Sequence, residues 1–232
     1  MNIRNFIDVF KLSLPIATAY IPLGIALGIY VVSSGLDWYI APLAALIIFA
    51  GSIEFLVVSF ILSGLPLFTV AWTAFVVNFR HIFYGLSFPI NTLQRPWQRI
   101  YGVFALTDEI YAITCVSKNR LDGDSITLLQ IMSQLWWVSA TLIGALLGAI
   151  IPSSIKGFEF ALTAMFLTMA MDATRHSREN KLIVYALISG GLGWCAETYL
   201  IQSSFLVVGL LSYLVFITLD YKKMQNMEVN HV

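Results

Sequence analysis

At 232 residues, 59% hydrophobic and 11% charged, with a mean hydropathy of +0.82, the chain has the composition of a polytopic membrane protein and not of a water-soluble domain. Thirteen Lys and Arg balance thirteen Asp and Glu with no basic block, which excludes nucleic acid as a partner. Cys115 and Cys195 sit in apolar stretches and form no CxxC pair, so no disulfide framework, metal site or cofactor is expected.

Residues 1–12 place Ile3, Phe6, Ile7 and Phe10 on one helical face, the pattern of an interfacial helix, with an untethered polar N-terminus as the alternative. The apolar run that follows is too long for a signal-peptide core and is expected to stay as a first span over 13–35. Pro15, Pro22 and Gly24 punctuate it and, with Gly51 further on, are expected to break helices beside a site. Gly24 and Gly28 also form a small-xxx-small pair, which marks close helix packing. A second span is expected over 41–63 with Glu54 past its centre, and a third over 66–90 with Arg80 past its centre. The tight Ser63-Gly64-Leu65-Pro66 connection makes these antiparallel neighbours of similar depth, so Glu54 is within reach of Arg80 as one candidate partner.

A weaker span over 100–116 carries Thr107, Asp108 and Glu109, and a strongly apolar one over 126–150 carries Gly144 and Gly148, spaced for packing. Two shorter runs, 157–171 and 182–195, fall below the roughly 20 residues that a crossing helix needs. Tilt, breakage or re-entrance applies to them, and Gly190, Gly191 and Gly193 fit a break. A final span over 199–219 precedes a cytoplasmic polar tail, 220–232. The expected fold is thus an all-α integral membrane protein, a helical bundle of about eight hydrophobic segments, some short or broken, forming one transmembrane domain over 13–219. With eight crossings and the N-terminus inside, nine Lys and Arg fall on the inner face and three, Arg95, Arg99 and Lys156, on the outer, which places both termini in the cytoplasm. One internal repeat is suggested: Gly51-Ser52-Ile53-Glu54-Phe55 against Gly157-Phe158-Glu159-Phe160, each followed by an Arg-His pair, Arg80-His81 and Arg175-His176.

Arg80 is the chemical anomaly, because an arginine at mid-span costs roughly 2.5–3.5 kcal/mol on insertion scales. Either its guanidinium grips a substrate carboxylate through two parallel hydrogen bonds, or it forms a structural pair with Glu54. Asn78 has the donor and acceptor to orient a guanidinium or a substrate, and equally to bond two helices. His81 has the reference pKa of a proton carrier, or bonds a backbone carbonyl. Adjacent helical residues face different ways, so of Asp108 and Glu109 at most one points into a cavity. Asp108 is a candidate for the substrate and Glu109, with His81, for proton or ion coupling. Glu159 and Glu197 read as solvated boundary residues and Asp172 as a helix end. No HExxH, P-loop, CxxCH or GxSxG signature occurs, so an enzyme is the weaker class, with Asp108 and Glu109 its remote candidates.

Five motifs stand in order over about residues 12–170: Leu14-Pro15-Ile16 with Tyr20-Ile21-Pro22-Leu23-Gly24; Gly51-Ser52-Ile53-Glu54-Phe55; Asn78-Phe79-Arg80-His81 with Tyr84-Gly85; Thr107-Asp108-Glu109; and a Phe158-Glu159-Phe160-Ala161-Leu162 run. In this set the chain resembles the AzlC family. The resemblance implies an inner-membrane permease subunit that exports branched-chain amino acids and works with a small AzlD-type membrane protein. Two positions depart from the family pattern: Glu54 stands where glutamine is usual and Glu159 where aspartate is usual. The resulting expectation is a multi-pass, ion-coupled secondary transporter working by alternating access, with Asn78, Arg80, Glu54 and Asp108 meeting the amino-acid substrate and lipid around it. A channel or a structural scaffold subunit of a membrane complex is the alternative.

Overall fold

The computed structural model describes residues 3–116, 121–151, 157, 160, 163–164, 167–168, 171, 180–199 and 205–229, and all regular structure among them is helical. The helices are α1 (Ile3–Ser33), α2 (Ile40–Ile47), α3 (Gly51–Ser63), α4 (Leu67–Val77), α5 (Arg80–Ser87), α6 (Pro96–Phe104), α7 (Asp108–Val116), α8 (Gly123–Gly148), α9 (Asn180–Tyr199) and α10 (Phe205–Val229). They fall into two compact units, Met1–Met165 and Phe166–Val232. Two described helices, over Phe6–Ser33 and Gly123–Gly148, are long and apolar enough to cross a membrane.

The first unit is built on α1 against α8. Trp136 Nε1 donates to Ser13 Oγ at 3.2 Å, the Tyr20 and Trp137 rings meet edge to face at 5.3 Å, and Gly148 lies against Ile29 and Val32. Rising numbers in one helix meet rising numbers in the other, so α1 and α8 are parallel. Their close approach depends on missing side chains: a Cβ on Gly24 would stand 2.7 Å from Ala140 Cβ, one on Gly28 would strike Thr141 O and Ala145 N, and one on Gly144 would strike Ile25 O. This is the packing expected of a small-xxx-small face. Pro15, Pro22 and Gly24, expected to break the span, lie inside an unbroken α1. Each proline removes one ladder bond, but packing on α8 along the helix holds the turns in line. Residues 3–12 are the first turns of this same helix, with Val9 buried at 2% exposure. Asp122 caps α8, its carboxylate accepting from Ser125 N–H at 3.0 Å, and that bond holds its carboxyl below the ordinary aspartate range.

The runs expected as single spans over 41–63, 66–90 and 100–116 are each interrupted near the middle. In the first, Phe49 adopts a left-handed φ of 48° and Ala50 is extended, and α3 starts afresh at Gly51. In the second, Asn78 and Phe79 switch the ladder to i→i+3 bonds: Phe79 N to Val76 O at 3.3 Å, His81 N to Asn78 O at 2.9 Å and Ile82 N to Phe79 O at 3.2 Å. The edge-to-face series Phe75, Phe79 and Phe83, at 5.7 and 5.8 Å, continues across this pinch, so α4 and α5 run on in one direction. The third run breaks at 105–107 between α6 and α7.

Contacts along α1 and α8 give the direction of each piece. Leu46 O receives Gln134 Nε2 at 3.0 Å, Phe49 meets Tyr20, and Phe55 and Ser59 meet Tyr30, so α2 descends from the Ser33 end of α1 and α3 returns to it. At the other end, Gln98 Nε2 donates to Asp124 at 2.8 Å, Gly123 lies against Thr92 and Leu93, and Gln130 Nε2 donates to Gly102 O and Ala105 O. Hence α6 starts beside the first turn of α8 and runs along it. From its start beside Arg80, α7 passes Tyr84 and Ser87 and returns towards that end, parallel to α5. Arg95 and Arg99 therefore sit at the same end of α8 as Asp122. This corrects the expectation that 100–116 separates them by a crossing.

In the second unit α9 and α10 form an antiparallel pair, with Tyr185 stacked on Phe216 at 5.6 Å and Lys181 4.0 Å from Asp220. Gly190, Gly191 and Gly193, expected to mark a break, lie within a continuous α9, where Gly193 permits contact with Phe205 O. Glu197 accepts from Phe205 N–H at 2.8 Å at the head of α10. Glu159, Asp172, Arg175 and His176 lie outside the described residues, and with them the comparison drawn from Gly51 to Gly157.

Candidate functional site

The three interruptions lie level with the centres of α1 and α8, and each is followed by a helix whose first turn carries ionisable residues: Glu54 in α3, Arg80 and His81 in α5, Asp108 and Glu109 in α7. Carboxylates in the first turn of α3 and α7 complement the partial positive charge of a helix N-terminus. Arg80 does the reverse in α5, so its charge and the helix end together favour an anion.

Arg80 Nη1 lies 3.0 Å from Asp108 Oδ2, with the two side chains 33% and 27% exposed. Of the alternatives drawn from sequence for Arg80, the pair with Glu54 is replaced by the pair with Asp108. Glu54 is 1% exposed; Trp137 Nε1 donates to both its carboxylate oxygens at 2.9 and 3.0 Å, and Ala50 N–H to Oε1 at 2.9 Å. It therefore ties the break before α3 to the middle of α8. Equal depth alone did not make a pair, because α2 and α3 fold back on themselves and turn Glu54 toward α8.

Asp108 and Glu109 face different ways, as their spacing requires. Tyr20 OH donates to Glu109 Oε2 at 2.8 Å and lies 2.8 Å from the Thr107 hydroxyl, so Glu109 belongs to a link between α7 and α1. Thr107 Oγ1 also accepts from Ile110 N–H at 3.4 Å and caps α7. His81 Nδ1 lies 3.2 Å from Asn78 O, the backbone contact weighed against a proton-carrying role, and its ring meets Tyr84 edge to face at 5.4 Å. Tyr84 stacks on Tyr111 at 4.3 Å, and Tyr111 OH bonds Ser87 Oγ at 2.7 Å. Among the described residues, Asn78 Oδ1 and Asp108 Oδ1 are buried acceptors with no hydrogen-bond partner. Gly51 opens α3 with Trp137's ring 3.2 Å from where its Cβ would stand.

Tyr20, Thr107 and Trp137 were not singled out from sequence as site residues. The available signal was the polar end of each ring in an apolar span, since a buried Tyr hydroxyl or Trp N–H needs an acceptor.

Replacing Glu54 tests its role as a tie. Glu54→Gln keeps one carbonyl oxygen for Trp137 or Ala50 and should cost at most about 1.5 kcal/mol, whereas Glu54→Leu leaves two buried N–H donors unsatisfied at about 1–3 kcal/mol each. Thermal melting in detergent reads both; equal melting of the two variants would refute the tie.

The family model described as AzlC protein matches residues 15–151. The branched-chain amino acid transport protein AzlC of Bacillus subtilis is 26% identical over 229 residues, covering 97% of this chain and 89% of its own length. Inner membrane protein YgaZ of Escherichia coli is 28% identical over 198 residues, 81% of this chain and 80% of its own. An uncharacterized membrane protein of Archaeoglobus fulgidus is 31% identical over 185 residues, 77% of this chain and 78% of its own. No solved structure matches the chain.

Proposed function

The chain belongs to the AzlC family, and from that premise we propose that it is a multi-pass inner-membrane transporter subunit that exports branched-chain amino acids, coupled to an ion gradient and assembled with a small AzlD-type membrane protein. The Lys and Arg distribution in the sequence supports a cytoplasmic side for both termini. The observation that carries the reading is the partly exposed Arg80–Asp108 pair at the start of two half-length helices. An α-amino acid is a carboxylate and an ammonium joined by one carbon. Arg80, whose Nη1 stands 3.0 Å from Asp108 Oδ2, meets the carboxylate through its planar guanidinium. The ammonium, with three donors and no acceptor, meets Asp108 Oδ1 and Asn78 Oδ1, both among the buried acceptors of the described residues that lack a hydrogen-bond partner. The reading of Glu54 as a substrate ligand is set aside in favour of Asp108, because Glu54 is enclosed by Trp137 and Ala50.

Discontinuous helices with ends at mid-depth are the usual construction of substrate sites in secondary transporters. The test is thermal stabilisation of purified protein by valine, leucine and isoleucine, compared with isovalerate, which lacks the ammonium, and isobutylamine, which lacks the carboxylate. Ligand at 100 times its dissociation constant adds about 2.7 kcal/mol of stability. Valine should stabilise and both truncated analogues should not; stabilisation by neither valine, leucine nor isoleucine would overturn the assignment.

A further inference from the structure

We propose that α1 with α2–α3 and α4–α5 with α6–α7 are two copies of one unit in opposite orientations, whose helical hairpins re-enter from opposite sides and meet at mid-depth, where Phe49 and Phe104 close the path between the two faces. The topological part stands independently of the transported molecule. The barrier role of the two phenylalanines rests on the transport reading above.

Length supports it first. At 1.5 Å per residue, α2, α6 and α7, with 8, 9 and 9 residues, reach roughly 12–14 Å, and α3, with 13, roughly 20 Å, so no arm of either hairpin crosses a hydrocarbon core about 30 Å thick. A hairpin of such arms can enter to the midplane and return. By contrast α4 and α5 run on in one direction over residues 67–87, enough to cross.

Direction supports it second. The α2–α3 hairpin enters from the Ser33 end of α1, and the α6–α7 hairpin from the opposite end, where α8 begins. Their tips meet: Phe49 and Phe104 stand 6.4 Å apart between ring centroids, and Tyr20 touches both, through its ring at Phe49 and its hydroxyl at Thr107. Irregular backbone at this depth is tolerable because protein surrounds it.

Sequence supports it third. Phe49-Ala50-Gly51-Ser52-Ile53-Glu54-Phe55 aligns with Phe104-Ala105-Leu106-Thr107-Asp108-Glu109-Ile110 at a constant offset of 55 residues, with Phe, Ala and Glu identical and Ser against Thr. The same offset carries α2 onto α6 and α3 onto α7 to within two residues at each end, and places α1 against α4–α5. Glu54 and Glu109 thus become equivalent positions, one held by Trp137 from α8 and the other by Tyr20 from α1.

Charge supports it fourth. With two hairpins instead of two crossings, Arg95 and Arg99 join Arg4, Lys11, Lys118 and Arg120 by sequence on the cytoplasmic face of the first unit, leaving Lys156 opposite. That is a stronger inside bias than eight crossings give this unit.

The experiment replaces Cys115 and Cys195 with Ser and introduces single cysteines as Asp37→Cys, Leu65→Cys, Gln94→Cys or Leu121→Cys. Each is probed with a membrane-impermeant maleimide in intact cells and after permeabilisation, with labelling in detergent confirming that the protein is present. Positions 37 and 65 are expected to label from the outside and 94 and 121 only after permeabilisation. Opposite sidedness within either pair overturns the re-entrant topology. In vesicles loaded with labelled valine, Phe104→Ala is expected to raise passive equilibration several-fold without an imposed ion gradient. An unchanged leak removes the barrier role while the cysteine pattern still decides the topology; a wild-type chain that moves no valine indicts the transport reading instead.

Discussion

Arg80→Ala should lower export of radiolabelled valine from cells by about ten- to a hundred-fold. The guanidinium supplies the only charge proposed for the substrate carboxylate, and hydrogen bonds to charged groups are worth roughly 1.5–3 kcal/mol. At 1.4 kcal/mol per decade this spans about one to two orders of magnitude. Arg80→Lys keeps a cation but loses the planar fork, so an intermediate loss is expected. Asp108→Asn leaves Arg80 without its counter-charge and removes the ammonium's anion, so it too should lose export. The charge swap Arg80→Asp with Asp108→Arg separates binding from scaffolding. It restores an ion pair and should recover folding and expression, yet it reverses the polarity met by the substrate and should not recover transport. Wild-type export by Arg80→Ala, or full recovery in the swap, would remove the pair from the mechanism.

The second large effect concerns the face on which the first unit is assembled. Gly28→Ala and Gly144→Ala each drive a methyl into backbone atoms of the facing helix, which cannot rotate away. Overpacking of this kind costs about 1–3 kcal/mol, and the two positions share one contact, so their effects should not add. Gly148→Ala meets Ile29 and Val32 at 3.1 Å and should be milder. Gly190→Ala and Gly191→Ala meet nothing within 4 Å and replace glycine in a helix, so they should be neutral or stabilising by up to about 1 kcal/mol. Melting temperatures of the purified variants give the ranking; Gly28→Ala as stable as Gly190→Ala would contradict the packing.

The helical character, the glycine face and the opposed directions of Asp108 and Glu109 were all legible in the sequence, because helical spacing and composition determine them. The partner of Arg80 was not. Hydropathy treats an apolar run of some twenty residues as one span, and cannot tell it from two arms of a hairpin with the same total length. At 48–50 the break falls on Phe49 and Ala50 without proline, whereas Pro15 and Pro22 sit in an intact helix. Tertiary packing overrode the local signal in both places. Reading α2–α3 as a crossing made Glu54 one of the two partners open to Arg80, and reading 100–116 as a crossing put Arg95 opposite Lys118. Both inferences lose their basis when the runs turn back.

The parallel seam between α1 and α8 has a consequence for how the protein is made. Gly28 and Gly144 face one another across about 115 residues of chain. At roughly 5–20 residues per second, α1 waits on the order of 6–23 s for its partner to be synthesised. During that interval its glycine face has only lipid or another protein to rest against. An arrest placed before residue 123 should therefore leave a nascent chain whose first helix exchanges freely between neighbours, and one placed after residue 148 a chain that has closed on itself.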